Sequence, residues 1–498
     1  MLKRSSIYRL FPFIIAIYPI LALSSNNPGY VNFNSILRSL ILAILVTIIG
    51  IVLFSLLTKN RDKGNLLTSL VLLIFFSYGH IYVYMINVFG KEFRHLYLIL
   101  GFMLIGGVLT WLFLKARAIS ATITSALFYA SLVLIFLTSA PILTNAIKGE
   151  IARNDGIQTV SKSTELDNFQ KPDIYLIILD SYTREDVLEK YYHFDNSPFL
   201  NKLRDLGFYV AGCSQSNYPT TRFSLSSLFM SNYLPTVSPQ GHLPPLMDSQ
   251  LIRKLRSLGY SLYTFENRSE AQFDLGEDRA FTRNDQKFGL NLLISGLNEF
   301  ESMFLETSAL RILLDMPQLA PGFDLSRAKY YEHYMQVKYT LTELPKIPAL
   351  DSPKFVVVHL LVPHEPYIHS PAGEYSYTGN QVKGYAANIG FINNEIPSIL
   401  TKIINASKIP PVIVLQGDHG AHLSPTRPEI RLAILNAYYV KDETKKLLYP
   451  AITPVNSFRV ILDSYFGTKL GTLEDRSFFA YSQKEMVDEN LFKNQCVP

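Results

Sequence analysis

Five apolar stretches crowd the first third of this chain, and they limit what it can become. Roughly Leu10–Ser24, Ile36–Leu57, Leu66–Phe89, Leu96–Leu114 and Ile119–Leu143 are long enough, or nearly so, to cross a hydrocarbon core as helices. Basic loop residues orient such a set. Lys3, Arg4 and Arg9, then Lys59, Arg61 and Lys63, then Lys115 and Arg117 fall on one side, against Arg38, Lys91 and Arg94 on the other. The N-terminus is therefore expected in the cytoplasm and everything after the fifth stretch outside. The short first run behind Lys3, Arg4 and Arg9 also fits a signal peptide, but four further spans favour a membrane helix. Either reading leaves the later residues outside. His80 and Tyr84, polar at membrane depth, are expected to pack against a neighbouring helix.

Charge separates this part from the rest. Residues 1–146 hold eleven Lys/Arg and two Asp/Glu, a net of +9. The remaining 352 residues hold thirty-five and thirty-nine, a net of −4, giving +5 for the 498-residue chain. The basic balance thus belongs to loops beside a membrane and argues against nucleic-acid binding. Two cysteines, Cys213 and Cys496, build neither a disulfide framework nor a multi-cysteine zinc site, and leave open whether they pair. The expected organisation is a transmembrane helical domain over 1–145, a polar linker over 146–171, and an extracytoplasmic domain over 172–498.

After Pro172 the pattern becomes alternating strand and helix. Ile174–Leu179, Phe208–Ala211, Ser261–Phe265, Phe355–Leu361 and Val412–Leu415 read as strands. Glu185–Tyr192, Ser197–Leu206, Leu225–Phe229, Leu251–Leu258 and Gly384–Ile404 read as helices. That alternation predicts an α/β domain with a largely parallel sheet, whose site lies beyond the carboxyl ends of the strands. Three apolar strands end there in Asp180, in His364, and in Asp418-His419-Gly420. Two carboxylates and two imidazoles at one sheet edge suit a divalent ion such as zinc or manganese. The hydroxyl-rich segment Ser216–Phe229 leads into a helix. There Thr220 or Thr221 is either an N-cap or a nucleophile placed where a helix N-terminus favours negative charge.

In order, the motifs are strand–Asp180, Pro198-Phe199-Leu200-Asn201-Lys202-Leu203 before Gly207-Phe208, the hydroxyl-rich loop, Leu255-x-x-x-Gly259-Tyr260, the strand to His364, Asp418-His419-Gly420, and Ile452-Thr453-Pro454-Val455-Asn456-Ser457-Phe458. This series resembles the alkaline phosphatase/sulfatase superfamily. With five spans in front, it resembles the branch of bacterial phosphoethanolamine transferases and lipoteichoic acid synthases. The resemblance implies a sulfatase-like domain and one principal divalent ion held by Asp180, Asp418, His419 and the nucleophile. It places the nucleophile at Thr221, in Thr221-x-x-Ser224, with Thr220 the alternative. It gives His364 a contact to the substrate phosphoryl group, with Arg222 and His422 as substrate-binding candidates. Three departures stand out. Asp180 is followed by Ser181 where two-metal members place paired Asp residues, which favours one principal ion. Cys213 lacks the Cys-x-Pro-x-Arg setting that sulfatases convert, and no residue clearly matches the transferases' further downstream histidine, for which His422 and Arg427 are the nearby candidates.

The resulting expectation is an enzyme of the bacterial inner membrane, integral to it, with a periplasmic catalytic domain. It would move a phosphoethanolamine- or phosphoglycerol-type headgroup from a lipid donor to a glycan or lipid hydroxyl through a phosphothreonine. The alternatives are a sulfatase- or phosphodiesterase-like hydrolase and a non-catalytic membrane protein with this fold. Residues Glu270–Ala320 carry no motif and are expected to cover the substrate.

Overall fold

The computed structural model describes residues 7–26, 33–90, 92–116, 121–155, 171–234, 245–267, 275–283, 299–319, 325–423, 426–482 and 485–496. Lys3, Arg4, Lys91 and Arg117, which entered the orientation argument, lie outside them. Two compact units result: residues 1–159 with 291–332, and residues 160–290 with 333–498.

The first unit contains five helices long and apolar enough to cross a membrane: Tyr8–Asn26, Ile36–Thr58, Arg61–Phe89, His95–Lys115 and Thr122–Ser139. Each covers one of the five stretches read from sequence. Many of their large side chains face outward, among them Leu56, Leu104 and Phe136 at 70% exposure or more, as lipid-facing surfaces do. His80 and Tyr84 are also exposed, so they do not pack against a neighbouring helix in this unit. The helix Ala121–Asp155 runs on into the expected linker, and the rest of that linker, 156–170, lies outside the described residues.

This unit also holds a segment from late in the chain. The helices Glu299–Thr307 and Arg311–Asp315 lie within the stretch expected to cover the substrate, yet they pack among the membrane helices. Phe300 is fully buried in a cluster with Ala16, Ile20 and Phe76. Glu301, largely buried, ion-pairs with Arg38 through both carboxylate oxygens. Asp315 lies 3.1 Å from His95 Nε2 and 3.0 Å from Arg311 Nε. Gly79 permits the approach, since a Cβ there would lie 2.4 Å from the Glu306 carbonyl oxygen.

The second unit is built on a seven-stranded sheet in the order β2-β7-β6-β1-β5-β3-β4. Its strands are β1 (Ile174–Leu179), β2 (Tyr209–Val210), β3 (Ser261–Phe265), β4 (Arg279–Phe281), β5 (Lys354–Leu360), β6 (Val412–Gln416) and β7 (Asn436–Tyr439). From β6 through β4 every neighbouring pair is parallel, whereas β7 is antiparallel to both β6 and β2. The sheet is therefore largely parallel, as expected. β1, β5 and β6 are buried throughout, which is why they read as unbroken apolar runs. Strand alternation sends Ile174, Leu176 and Ile178 to one face, packed against the helices Thr221–Met230 and Pro454–Phe466. Tyr175, Ile177 and Leu179 face the opposite layer, dominated by the helix Gln381–Ala406. Sequence reasoning missed β4, β7 and the helix Leu325–Glu343. Cys213 and Cys496, left open above, form a disulfide with 5.4 Å between their Cα atoms.

Because residues 291–332 belong to the membrane unit, the second unit should not depend on 156–170 alone for attachment. A protease site engineered into 156–170 and cut in isolated membranes should leave the C-terminal fragment in the membrane pellet. Release of that fragment on cutting would contradict the packing of Phe300 and Glu301.

Candidate metal and nucleophile site

Register brings the expected residues together. Leu179 pairs with Leu360 and Ile178 with Gln416, so β1, β5 and β6 end level with one another. Asp180 follows β1 directly, and Asp418 and His419 follow β6 after Gly417. Asp180, Asp418 and His419 are all buried, and one ligand atom from each lies within 4.8 Å of the others. Gly420 is required beside them, because a Cβ there would meet the Ile430 carbonyl oxygen at 2.1 Å. The turn after Asp180 is also tight. Ser181 adopts φ +66°, its N–H donates to Asp418 Oδ1 at 2.9 Å, and its hydroxyl donates to the Gly420 carbonyl at 3.0 Å.

Thr221 completes the group. It is the first residue of the helix Thr221–Met230, with Thr220 at the N-cap position making no side-chain capping bond. Thr221 Oγ1 lies 3.2 Å from His419 Nε2. The helix packs on the sheet face that Asp180 shares with Ile178, which aims its N-terminus at the strand ends.

The electrostatics are those of a cation site. His419 Nδ1 is 2.9 Å from the Gly420 carbonyl oxygen, which can only accept, so the neutral ring carries its proton there and Nε2 presents a lone pair. That lone pair lies 3.4 Å from Asp418 Oδ2 and 3.7 Å from Asp180 Oδ1. Both of those oxygens are buried without a hydrogen-bond partner. Burial, and then Asp180 beside it, push the Asp418 carboxyl up to about 6. Burial also works against ionisation of Asp180, but His364, His359 and His419 together outweigh it and hold that carboxyl below the ordinary range. Burial, with Arg431 next, pushes the His419 imidazole well down and keeps it neutral. Two carboxylate oxygens and one imidazole nitrogen facing each other without protons fit a divalent ion such as zinc or manganese.

The other expected residues are placed as follows. His364 is partly exposed, with Nδ1 2.6 Å from the Glu365 carbonyl oxygen and its ring 6.3 Å from that of His419. His422 stacks edge-on at 4.6 Å from His364 and 5.2 Å from His419, so it joins the group. Burial, then His419, hold it neutral. Arg222 is exposed on the first turn of its helix. Arg427 lies over the Tyr191 ring instead. Sequence reasoning missed Arg431 and His359. Arg431 is buried, donates from Nε to the Pro219 carbonyl at 2.7 Å, and places a guanidinium nitrogen 3.4 Å from His419 Nε2. It ties the loop before Thr221 to the Asp-His turn. Its only sequence signal was an arginine amid the apolar Ile430–Ile434.

A largely parallel α/β sheet that gathers a hydroxyl and an acidic–imidazole group at its carboxyl edge is the architecture of a sulfatase-like domain, and the family match below makes the protein a sulfatase-like phosphotransferase or ester hydrolase. Residues 172–458 match the Sulfatase family, and the chain belongs to it. None of the curated proteins matches the chain. Among solved structures it is similar to the C-terminal periplasmic domain of EcEptC from Escherichia coli, at 14% identity over 67% of this chain and 95% of that one, with a TM-score of 0.41. It is also similar to the soluble domain of lipooligosaccharide phosphoethanolamine transferase A from Neisseria meningitidis, at 12% identity over 60% and 89% of the two chains, TM-score 0.38. The integral membrane form of that transferase is similar at 12% identity over 91% of this chain and 94% of its own, TM-score 0.39.

Holding a cation requires Asp418 ionised, and burial beside Asp180 pushes its carboxyl up to about 6. Metal-stripped protein should therefore bind zinc fully above about pH 7 and lose roughly tenfold in affinity per pH unit below about 6. A chelator-competition titration across pH checks this; affinity rising toward acid would contradict it.

Proposed function

We propose that this chain is a metal-dependent membrane phosphotransferase. It moves a phosphoethanolamine- or phosphoglycerol-type headgroup from a lipid donor to a glycan or lipid hydroxyl, through a phosphothreonine at Thr221. The observation that carries this reading is Thr221 Oγ1 at the start of a helix, 3.2 Å from His419 Nε2 and beside the buried Asp180 and Asp418. Asp180, Asp418 and His419 would hold a divalent ion such as zinc or manganese, which when bound would supply Lewis-acid polarisation.

The chain's own residues account for the rest. Thr221 Oγ attacks the phosphorus of the donor phosphodiester, and the bond from phosphorus to the lipid alkoxide oxygen breaks. The threonine proton passes to the departing lipid alkoxide, which leaves as the alcohol. The free N–H groups of the helix's first turn, with His364 across the site, offset charge on the phosphoryl oxygens. An acceptor hydroxyl then attacks the same phosphorus, the bond to Thr221 Oγ breaks, and the acceptor's own proton passes to the threonine oxygen. Arg431 keeps the loop before Thr221 in register with His419 throughout.

The proposed setting is the inner membrane with the catalytic unit on the periplasmic side. Support comes from the five spans, the basic loops, and the Cys213–Cys496 disulfide, which suits an oxidising compartment. The proposed domains are 1–145, 146–171 and 172–498, modified in that residues 291–332 cluster with the membrane unit.

Mass spectrometry of metal-loaded protein incubated with membrane lipids tests the mechanism. Peptides containing Thr221 should gain the mass of the transferred phospho group, and Thr221→Ala should lose the adduct and at least about 10³-fold in turnover. An adduct on Thr220 would move the nucleophile by one residue, and full activity in Thr221→Ala would remove the mechanism. Turnover of a soluble chromogenic ester without an acceptor would identify the hydrolase alternative.

A further inference from the structure

One buried imidazole beside this site has no place in the mechanism above. His359 sits inside β5, opposite Ile178 of β1, in a run of Val356, Val357, Val358, Leu360 and Leu361. It is 7% exposed. A polar ring in that position is costly unless both its nitrogens are used. Alternation places His359 on the sheet face of Phe355 and Val357, and Asp180 on the face of Ile174, Leu176 and Ile178, which is the same face.

Each ring nitrogen faces a polar atom. Asn267 Nδ2 lies 2.9 Å from His359 Nδ1, and His359 Nε2 lies 3.2 Å from Asp180 Oδ2. An amide nitrogen can only donate, so Nδ1 accepts in that contact. The neutral ring then carries its proton on Nε2, on the side of Asp180 Oδ2. One carboxylate oxygen thus lies against the ring and the other, Oδ1, faces His419 Nε2. A carboxylate's terminal torsion is otherwise broad, so something must select the rotamer that presents Oδ1.

We infer that Asn267 and His359 form a brace that fixes the tautomer of one ring and, through it, the orientation of the metal-ligating Asp180 carboxylate; both are positioning residues. The inference rests on the metal reading of Asp180, Asp418 and His419. Behind the brace lies a cavity of about 10 Å³, lined in part by Asn267, His333, Gln336 and His359, which is room for about one water. Burial pushes the imidazole of His333 in this lining down to about 4, so the wall is uncharged at neutral pH.

The test uses metal-stripped full-length protein in detergent, titrated with Zn²⁺ against a chelator. His359→Gln keeps an N–H at the reach of Nε2, whereas His359→Asn keeps one only at the reach of Nδ1. The glutamine variant should bind within about threefold of wild type, and the asparagine variant should lose roughly 10–100-fold. Asn267→Leu should lose a similar amount and add little further loss on the His359→Asn background. Thermal unfolding of the metal-free variants separates misfolding from lost positioning. Equal affinity in both His359 variants, or equal losses, would overturn the brace. A wild type that takes up no ion would overturn the metal reading itself, and the brace with it.

Discussion

Everything in the catalytic unit is arranged around a repulsion. Asp180 Oδ1, Asp418 Oδ2 and the lone pair of His419 Nε2 face one another in a space closed to solvent. Electron-rich atoms do not stay so close in a protein interior unless a positive charge sits among them or the surroundings hold them there. Arg431 supplies part of that charge from one side. The level ends of three buried strands, the tight Ser181 turn and the crowded Gly420 supply the constraint. A site under this tension is prepared for a cation before one arrives, and the helix beginning at Thr221 brings a hydroxyl to the same point.

Much of this was legible in the sequence because strand ends are legible. An unbroken apolar run followed by Asp, or by Gly-Asp-His-Gly, announces both a buried strand and the polar groups it delivers. Asp180, Asp418, His419 and His364 were singled out on that logic; the hydroxyl-rich loop offered Thr220 or Thr221, and only the family resemblance favoured Thr221. His422 entered as a substrate-binding candidate, and its ring lies within the same histidine cluster.

What was not legible shares a different feature. His359 lies inside an apolar run, where period-two reading treats it as one more strand position; only the register with β1 shows what it faces. Arg431 sits in a four-residue helix with no motif around it, and its partners at Pro219 and His419 are long-range in sequence. β7 was missed because Asn436–Tyr439 is short and mixed in character, as an antiparallel strand near a sheet edge is free to be. The seat of the helices within 299–315 was not legible because their apolar side chains match a surface contributed by residues more than two hundred positions earlier. Pairing at that distance leaves no local periodicity to read.

That last feature bears on how such a protein can evolve. A soluble enzyme strung behind a membrane anchor by a single tether can exchange its anchor, lose it, or be copied elsewhere as a module. Here the enzyme's own sequence donates helices to the bundle, with Phe300 and Glu301 seated among residues of the first, second and third spans. Neither part can be swapped for a homologue without carrying the matching half of that seat, so the two are bound to diverge as one unit of inheritance.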